Sequence, residues 1–150
     1  LIVSRGLGDV YKRQVLVQSR YVNDQNLLQL KSGNYLNFAK SLMEQRQATN
    51  QPPYTFEATI KASSPKAQTN IEMLTYAKQF IDSSKCVLIG PIPAMQSKVR
   101  GSYHHHLLIQ AKTRTGLNKL LVLLSDFLSK DKNNISKKVR WSINVDPLEF

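Results

Sequence analysis

The chain has 150 residues, 41% of them apolar, with 21 Lys and Arg against 10 Asp and Glu and a formal net charge of +11. That length holds one modest domain, or a small domain with an appended helical piece. No window supplies the roughly 18 uninterrupted apolar residues of a membrane-spanning helix, so no membrane partner is expected, and the charge implies attraction to polyanions or, failing that, a solvated basic surface.

The chain does not begin with Met, which leads us to expect a fragment or a processed product. Residues 1–14, with Gly6, Gly8 and mixed charges, carry neither helical nor strand periodicity. They resemble translated adapter sequence and are expected to be a non-native or disordered lead. Val15-Leu16-Val17-Gln18 then reads as a short buried strand. Asn26 to Lys31 reads as a short helix, and a longer helix runs from about Asn34 to Thr49, with Tyr35, Phe38, Ala39 and Leu42 at helical spacing. Asn50-Gln51-Pro52-Pro53 breaks it, because the residue before a proline avoids the helical region. A domain boundary is expected there, dividing residues 15–53 from 54–150.

Beyond the boundary, Tyr54 to Ala62 alternates as a strand, with Phe56, Ala58 and Ile60 on one face and Glu57, Thr59 and Lys61 on the other. Ser64-Pro65 marks a helix start, a hydroxyl cap followed by proline, and Ala67, Ile71, Leu74, Ala77 and Ile81 form its apolar stripe. Cys86 to Ile89 is a strand closed by Gly90-Pro91-Ile92-Pro93. Tyr103 to Ala111 is another, and Thr113 caps a helix striped by Leu117, Leu120, Leu121, Leu124 and Leu128. Lys138 to Val145 ends the set: Val139, Trp141, Ile143 and Val145 alternate with polar residues, and Pro147 has no amide hydrogen to continue a ladder. The order β-α-β-β-α-β is that of an α+β, ferredoxin-like domain, with two helices on one face of a four-stranded antiparallel sheet. Trp141 is expected to face the leucine stripe of the second helix.

Four strings in this order carry a resemblance. They are Glu44-Gln45-Arg46 with Gln51-Pro52-Pro53-Tyr54, Val87 to Ala94, Arg100-Gly101-Ser102-Tyr103 with Leu107-Leu108-Ile109-Gln110-Ala111, and Arg140-Trp141-Ser142-Ile143-Asn144-Val145-Asp146-Pro147. Together they resemble the C-terminal end of the primosomal protein N′ family, bacterial helicases that restart stalled replication forks. Asn144 stands where the family usually has Asp. Residues 1–14 do not match the arginine motif that should precede Val15, and the chain contains no P-loop and no Asp-Glu magnesium motif. The resemblance therefore implies the end of a helicase lobe over 15–53, followed by the family's C-terminal domain. The parent would be a cytoplasmic 3′-to-5′ DNA helicase that hydrolyses ATP and uses magnesium and zinc, none of them held by this chain, which would have no ATPase activity of its own. The expected partners are forked or single-stranded DNA, single-strand-binding protein and other primosome proteins.

Individual residues admit two readings each. Arg114, at a helix start whose free amides favour anions, and Asn118, one turn on, match by resemblance the basic and amide positions of a pocket for the acidic, apolar tail of single-strand-binding protein; otherwise they are a solvated helix start. Lys98, Arg100, Tyr103 and His104 set basic groups beside an aromatic, which suits phosphate contact and base stacking, unless Tyr103 packs in the sheet. Lys138 and Arg140 extend the basic set. His104 and His106 share a strand face and offer two metal ligands, without a nearby Cys or carboxylate to complete a site. Cys86, the single cysteine, excludes an internal disulfide and reads as a buried hydrophobe or a reactive thiol. The outer sheet face carries no aromatic and is expected to dock on the helicase core or meet phosphate. A free-standing ferredoxin-like nucleic-acid-binding or ribosomal-type protein is the alternative; a small enzyme lacks any catalytic constellation.

Overall fold

Alternation of side chains at period two sends Ala58, Ile60 and Ala62 to one side of a strand and Glu57, Thr59 and Lys61 to the other, and the fold is built around that strand. The computed structural model describes residues 2–3, 16–81, 85–131 and 134–147, which divide into two compact units, residues 1–45 and 46–150. In the first, β1 (Ile2–Val3) pairs antiparallel with β2 (Leu16–Val17). Helix α1 (Gln25–Lys31) follows, capped by Asp24, whose Oδ1 accepts from the amides of Asn26 at 2.9 Å and Leu27 at 3.2 Å. Helix α2 (Tyr35–Ala48) begins in this unit. Neither helix has a buried residue. The buried strand expected over 15–18 reduces to Leu16 and Val17, both exposed, with Val15 outside the described residues, as is most of the lead over 1–14.

The second unit runs β3 (Phe56–Ser64), α3 (Ala67–Phe80), β4 (Cys86–Val99), β5 (Ser102–Ala111), α4 (Arg114–Ser129), a 3-10 turn (Ser136–Lys138) and β6 (Arg140–Val145). The strands form one antiparallel sheet in the order β4-β5-β3-β6. This is the α+β, ferredoxin-like arrangement expected from the sequence. Ala58, Ile60 and Ala62 of β3 and Leu107, Ile109 and Ala111 of β5 share a single core with Met73, Leu74 and Ala77 of α3 and Leu117, Leu121, Leu124 and Leu128 of α4. Trp141 and Ile143 of β6 pack against this core, half-buried. Between the helices, the Phe127 ring stacks on Phe80 at 4.1 Å and tilts against Tyr76 at 4.9 Å, an offset aromatic cluster that ties α4 to α3.

Four local features differ from the sequence expectation, each for a physical reason. Ser64 does not cap α3: it ends β3, its hydroxyl donates to the Lys66 carbonyl at 2.7 Å, and the helix begins at Ala67 without a side-chain cap. The buried face of α3 is accordingly Asn70, Met73, Leu74 and Ala77, while Ala67 and Ile71 are half-buried. Asn70 is fully enclosed, its amide nitrogen donating to the Tyr103 carbonyl at 2.8 Å, so a polar residue occupies an inward position that a search for apolar spacing passes over. β4 does not close at Ile89 but runs on through Pro91 and Pro93 to Val99. It lies at the sheet edge, where a missing amide hydrogen costs no ladder bond on the open side, and its register shifts between Ile89 and Ile92 and again between Pro93 and Lys98. Finally, Lys138 belongs to the 3-10 turn, and β6 begins at Arg140. The Ser136 hydroxyl donates to the Leu128 carbonyl at 2.7 Å, and Asp131 Oδ2 accepts from the Ser136 amide at 2.8 Å, which seals the end of α4 onto this turn.

Gly90 makes the turn of β4 possible. Its φ is +123°, and a Cβ there would stand 2.7 Å from the His106 carbonyl oxygen and 3.1 Å from the Ile92 amide nitrogen, contacts that only glycine avoids. Gly90→Ala should lower the unfolding free energy by about 1–3 kcal/mol, read by urea denaturation; Gly101→Ala, where a Cβ meets nothing within 4 Å, is the reference substitution for positive φ alone.

Candidate nucleic-acid and partner interface

The antiparallel register gathers the basic candidates at one end of the sheet. Val99 pairs with Ser102, leaving Arg100 (φ +48°) and Gly101 (φ +82°) as a two-residue hairpin loop. Positive φ at both loop positions is the signature of a type I′ turn, whose twist matches that of the flanking strands. Lys98 pairs directly with Tyr103, its Nζ donating to the phenol oxygen at 3.2 Å and lying 4.8 Å from the ring centroid. At the same end, Ser63 of β3 lies opposite both His104 of β5 and Arg140 of β6. Lys138, in the 3-10 turn just before β6, is exposed, as are Lys98, Arg100 and Arg140.

These residues share an end, not a face. Directly paired residues point the same way, so His104, Ser63 and Arg140 lie on the outer face. Tyr103 falls in line with His105 and Leu107 on the helix side, half-buried and with one ring face covered by Lys98. Tyr103 and Lys98 form one pair, His104 and Arg140 another, and Arg100 stands at the tip between them.

Arg114 sits at the opposite end, at the first turn of α4. Thr113 caps the helix, its hydroxyl accepting from the Gly116 amide at 3.2 Å. The guanidinium is 2.8 Å from Asp146 Oδ2 and 4.8 Å from the centre of the Phe56 ring. Both members of the ion pair are about half exposed, so the pair orients Arg114 more than it stabilises the fold. Asn118 is exposed one turn along. Neither Phe56 nor Asp146 was singled out in the sequence as a neighbour of Arg114. Thirty-two residues separate Arg114 from Asp146, and only the strand order brings them together. At this end the outer face is partly closed: Glu57 is buried, and Gln110 Nε2 donates both to Glu57 Oε1 at 2.9 Å and to the Asn50 carbonyl at 2.7 Å. Toward β6 the outer face is open, with Arg140, Ser142 and Asn144 exposed.

The three consecutive histidines alternate across the sheet. His105 turns inward beside the enclosed Asn70, with Nδ1 3.4 Å from the Asn70 amide nitrogen. His106 is buried on the outer side, its Nδ1 without a hydrogen-bond partner among the described residues. Burial pushes both imidazoles below the usual histidine range; His104 adds to this for His105, and Lys61, His104 and His105 add to it for His106. Among the described residues no three of His, Cys, Asp and Glu come together as a metal site, so the histidine run does not fit a metal centre. Cys86 is buried, the first residue of β4.

Residues 47–148 match the model of the primosomal protein N C-terminal domain. The chain belongs to this family. Replication restart protein PriA of Haemophilus influenzae is 31% identical over 140 residues, covering 91% of this chain and 19% of that protein. The protein of the same name from Buchnera aphidicola (from Acyrthosiphon pisum) is 29% identical over 140 residues, covering 89% and 19%, and that of Rickettsia prowazekii is 26% identical over 145 residues, covering 97% and 22%. The chain thus spans about a fifth of the length of the curated relatives it matches. Among the described residues no helix is long and apolar enough to cross a membrane.

The lowered histidines give the domain a pH dependence of definite sign. A folded-state pKa below the unfolded value of 6.5 means that the native state binds fewer protons, so the stability these groups contribute is present above pH 6.5 and lost as the pH falls below it toward the folded pKa. Urea unfolding at pH 7.5 and 5.5 should show the lower value at pH 5.5, with the difference reduced in His105→Gln and His106→Gln.

Proposed function

We propose that this chain is the DNA- and partner-contacting portion of an ATP-driven 3′-to-5′ helicase that restarts stalled replication forks in the bacterial cytoplasm, and that it hydrolyses no ATP by itself. Family membership supports the replication-restart setting. The observation that carries the DNA reading is the collection of exposed Lys98, Arg100, Lys138 and Arg140 at one end of the sheet. A cationic end of this kind attracts phosphate and releases counterions on binding. The length of the relatives named above supports this reading over that of a free-standing ferredoxin-like module.

Fluorescence anisotropy with a labelled forked oligonucleotide tests it. Affinity should fall linearly with salt on a logarithmic plot, and each of Lys98→Ala, Arg100→Asn and Arg140→Ala should flatten the slope by about 0.9. Asparagine suits the positive φ at position 100, so that substitution removes the charge and keeps the turn. Absence of binding at low ionic strength would remove the proposal.

The second contact we propose is with the acidic, apolar tail of single-strand-binding protein at Arg114 and Asn118, alongside other primosome proteins. Here the support is the exposed guanidinium at a helix start, held in place by Asp146 and Phe56. Arg114→Glu in the full-length enzyme should weaken a titration with the tail peptide by tenfold or more; an unchanged affinity would reject the assignment.

A further inference from the structure

Pro93 of β4 lies opposite His105 of β5, and Lys98 lies opposite Tyr103. Four residues of β4, Ala94 to Ser97, therefore stand against the single His104 of β5. That surplus cannot lie flat in a ladder, so the strand bulges. Among the described residues β4 is an edge strand, with β5 on one side and no strand on the other, which leaves the bulge room to stand out. Both its feet are tied down. Pro93, with φ fixed by its ring, is paired with the buried His105. Lys98 is paired with Tyr103, its Nζ 3.2 Å from the phenol oxygen.

Between these feet, Met95 is 93% exposed. Methionine is among the residues most often enclosed by folding, and Met73 of α3, fully buried, is the ordinary case. Met95 fills no gap in the core, yet an anchored bulge holds it out. Bulges re-aim side chains and recur beside functional sites. The local charge selects the occupant. From residue 83 to residue 125 the chain has no Asp or Glu against six Lys and Arg. Around the bulge itself stand Lys98 at its foot, Arg100 at the hairpin tip, and Arg140, one strand beyond His104 across Ser63. A polyanion complements that charge. The apolar surface of a nucleic acid lies on its base faces, inside the stack, and methionine is one of the side chains that proteins insert between base steps.

We propose that the bulge is a wedge: with phosphates held by Lys98, Arg100 and Arg140, Met95 enters between two bases and unstacks them. The step it takes is the one where base pairing ends, because unstacking costs least beside a base that is already unpaired. The inference rests on the DNA reading of the basic end and adds a contact there that is not to phosphate.

The test uses the 150-residue chain and a forked oligonucleotide carrying 2-aminopurine at the last paired position, where loss of stacking raises its fluorescence. Binding of the unaltered chain should raise the emission. Met95→Leu, which keeps an apolar wedge, should preserve the rise. Met95→Ser, at a position the core does not use, should abolish it. Neither substitution changes charge, so the salt dependence of binding should stay the same in both. Emission that never rises on binding, or that rises equally with Met95→Ser, would overturn the wedge; a salt slope that still flattens in Arg100→Asn then leaves the DNA reading standing. Absence of binding at low ionic strength would remove both.

Discussion

The register of β3 against its two neighbours is the constraint on which the rest of the molecule depends. Ala58, Ile60 and Ala62 are the enclosed residues of that strand on the helix side, and a slip by one residue would turn Glu57, Thr59 and Lys61 into the core instead. With the alternation locked, β5 and β6 are placed on either side, and every long-range feature of the surface follows. Ser63 opposes His104 and Arg140 at one end, Ala58 opposes Val145 near the other, and Arg114 meets Asp146 only because β6 ends beside the start of α4. Burial of four leucines from α4 and of Met73, Leu74 and Ala77 from α3 supplies the driving force. Those side chains are satisfied in one register alone.

How much of this was legible in the sequence depends on the distance over which each feature is determined. The strands β3 and β5, the leucine stripe of α4, the Thr113 cap and the half-buried Trp141 are set by neighbours within a few residues, and alternation or helical spacing shows them directly. Asn70 is invisible to such a search, because its inward position is paid for by a carbonyl thirty-three residues away. The extension of β4 through Pro91 and Pro93 was obscured by a rule that holds for central strands and lapses at an edge. The hairpin tip at Arg100-Gly101 was readable in principle, since glycine in a two-residue loop is a strong turn signal; Arg100, with a positive φ that non-glycine residues adopt less readily, concealed it. Among the site residues, the sequence named Arg114 and Lys98 but neither the Asp146 and Phe56 that hold the first nor the face that separates Tyr103 from Arg140.

That separation shapes the chemistry available at the basic end. A sheet that binds single strands by stacking presents aromatic rings on an open face, and the outer face here carries Lys61, His104, Arg140, Ser142 and Asn144 with Tyr103 turned away and covered by Lys98. What remains is charge distributed around an end, on a hairpin tip, a strand start and a 3-10 turn. Such a surface offers charge without a stacking platform.

Charge without base-reading groups also decides what kind of selectivity is possible. Contacts to phosphate position a protein on nucleic acid but carry no sequence information, and a ferredoxin-like sheet by itself implies no particular activity. A domain whose recognition rests on Lys98, Arg100, Lys138 and Arg140 would respond to the spacing and arrangement of phosphates and not to base sequence. For a protein acting at stalled forks, as proposed, indifference to sequence is a requirement, since a fork stalls at no fixed site.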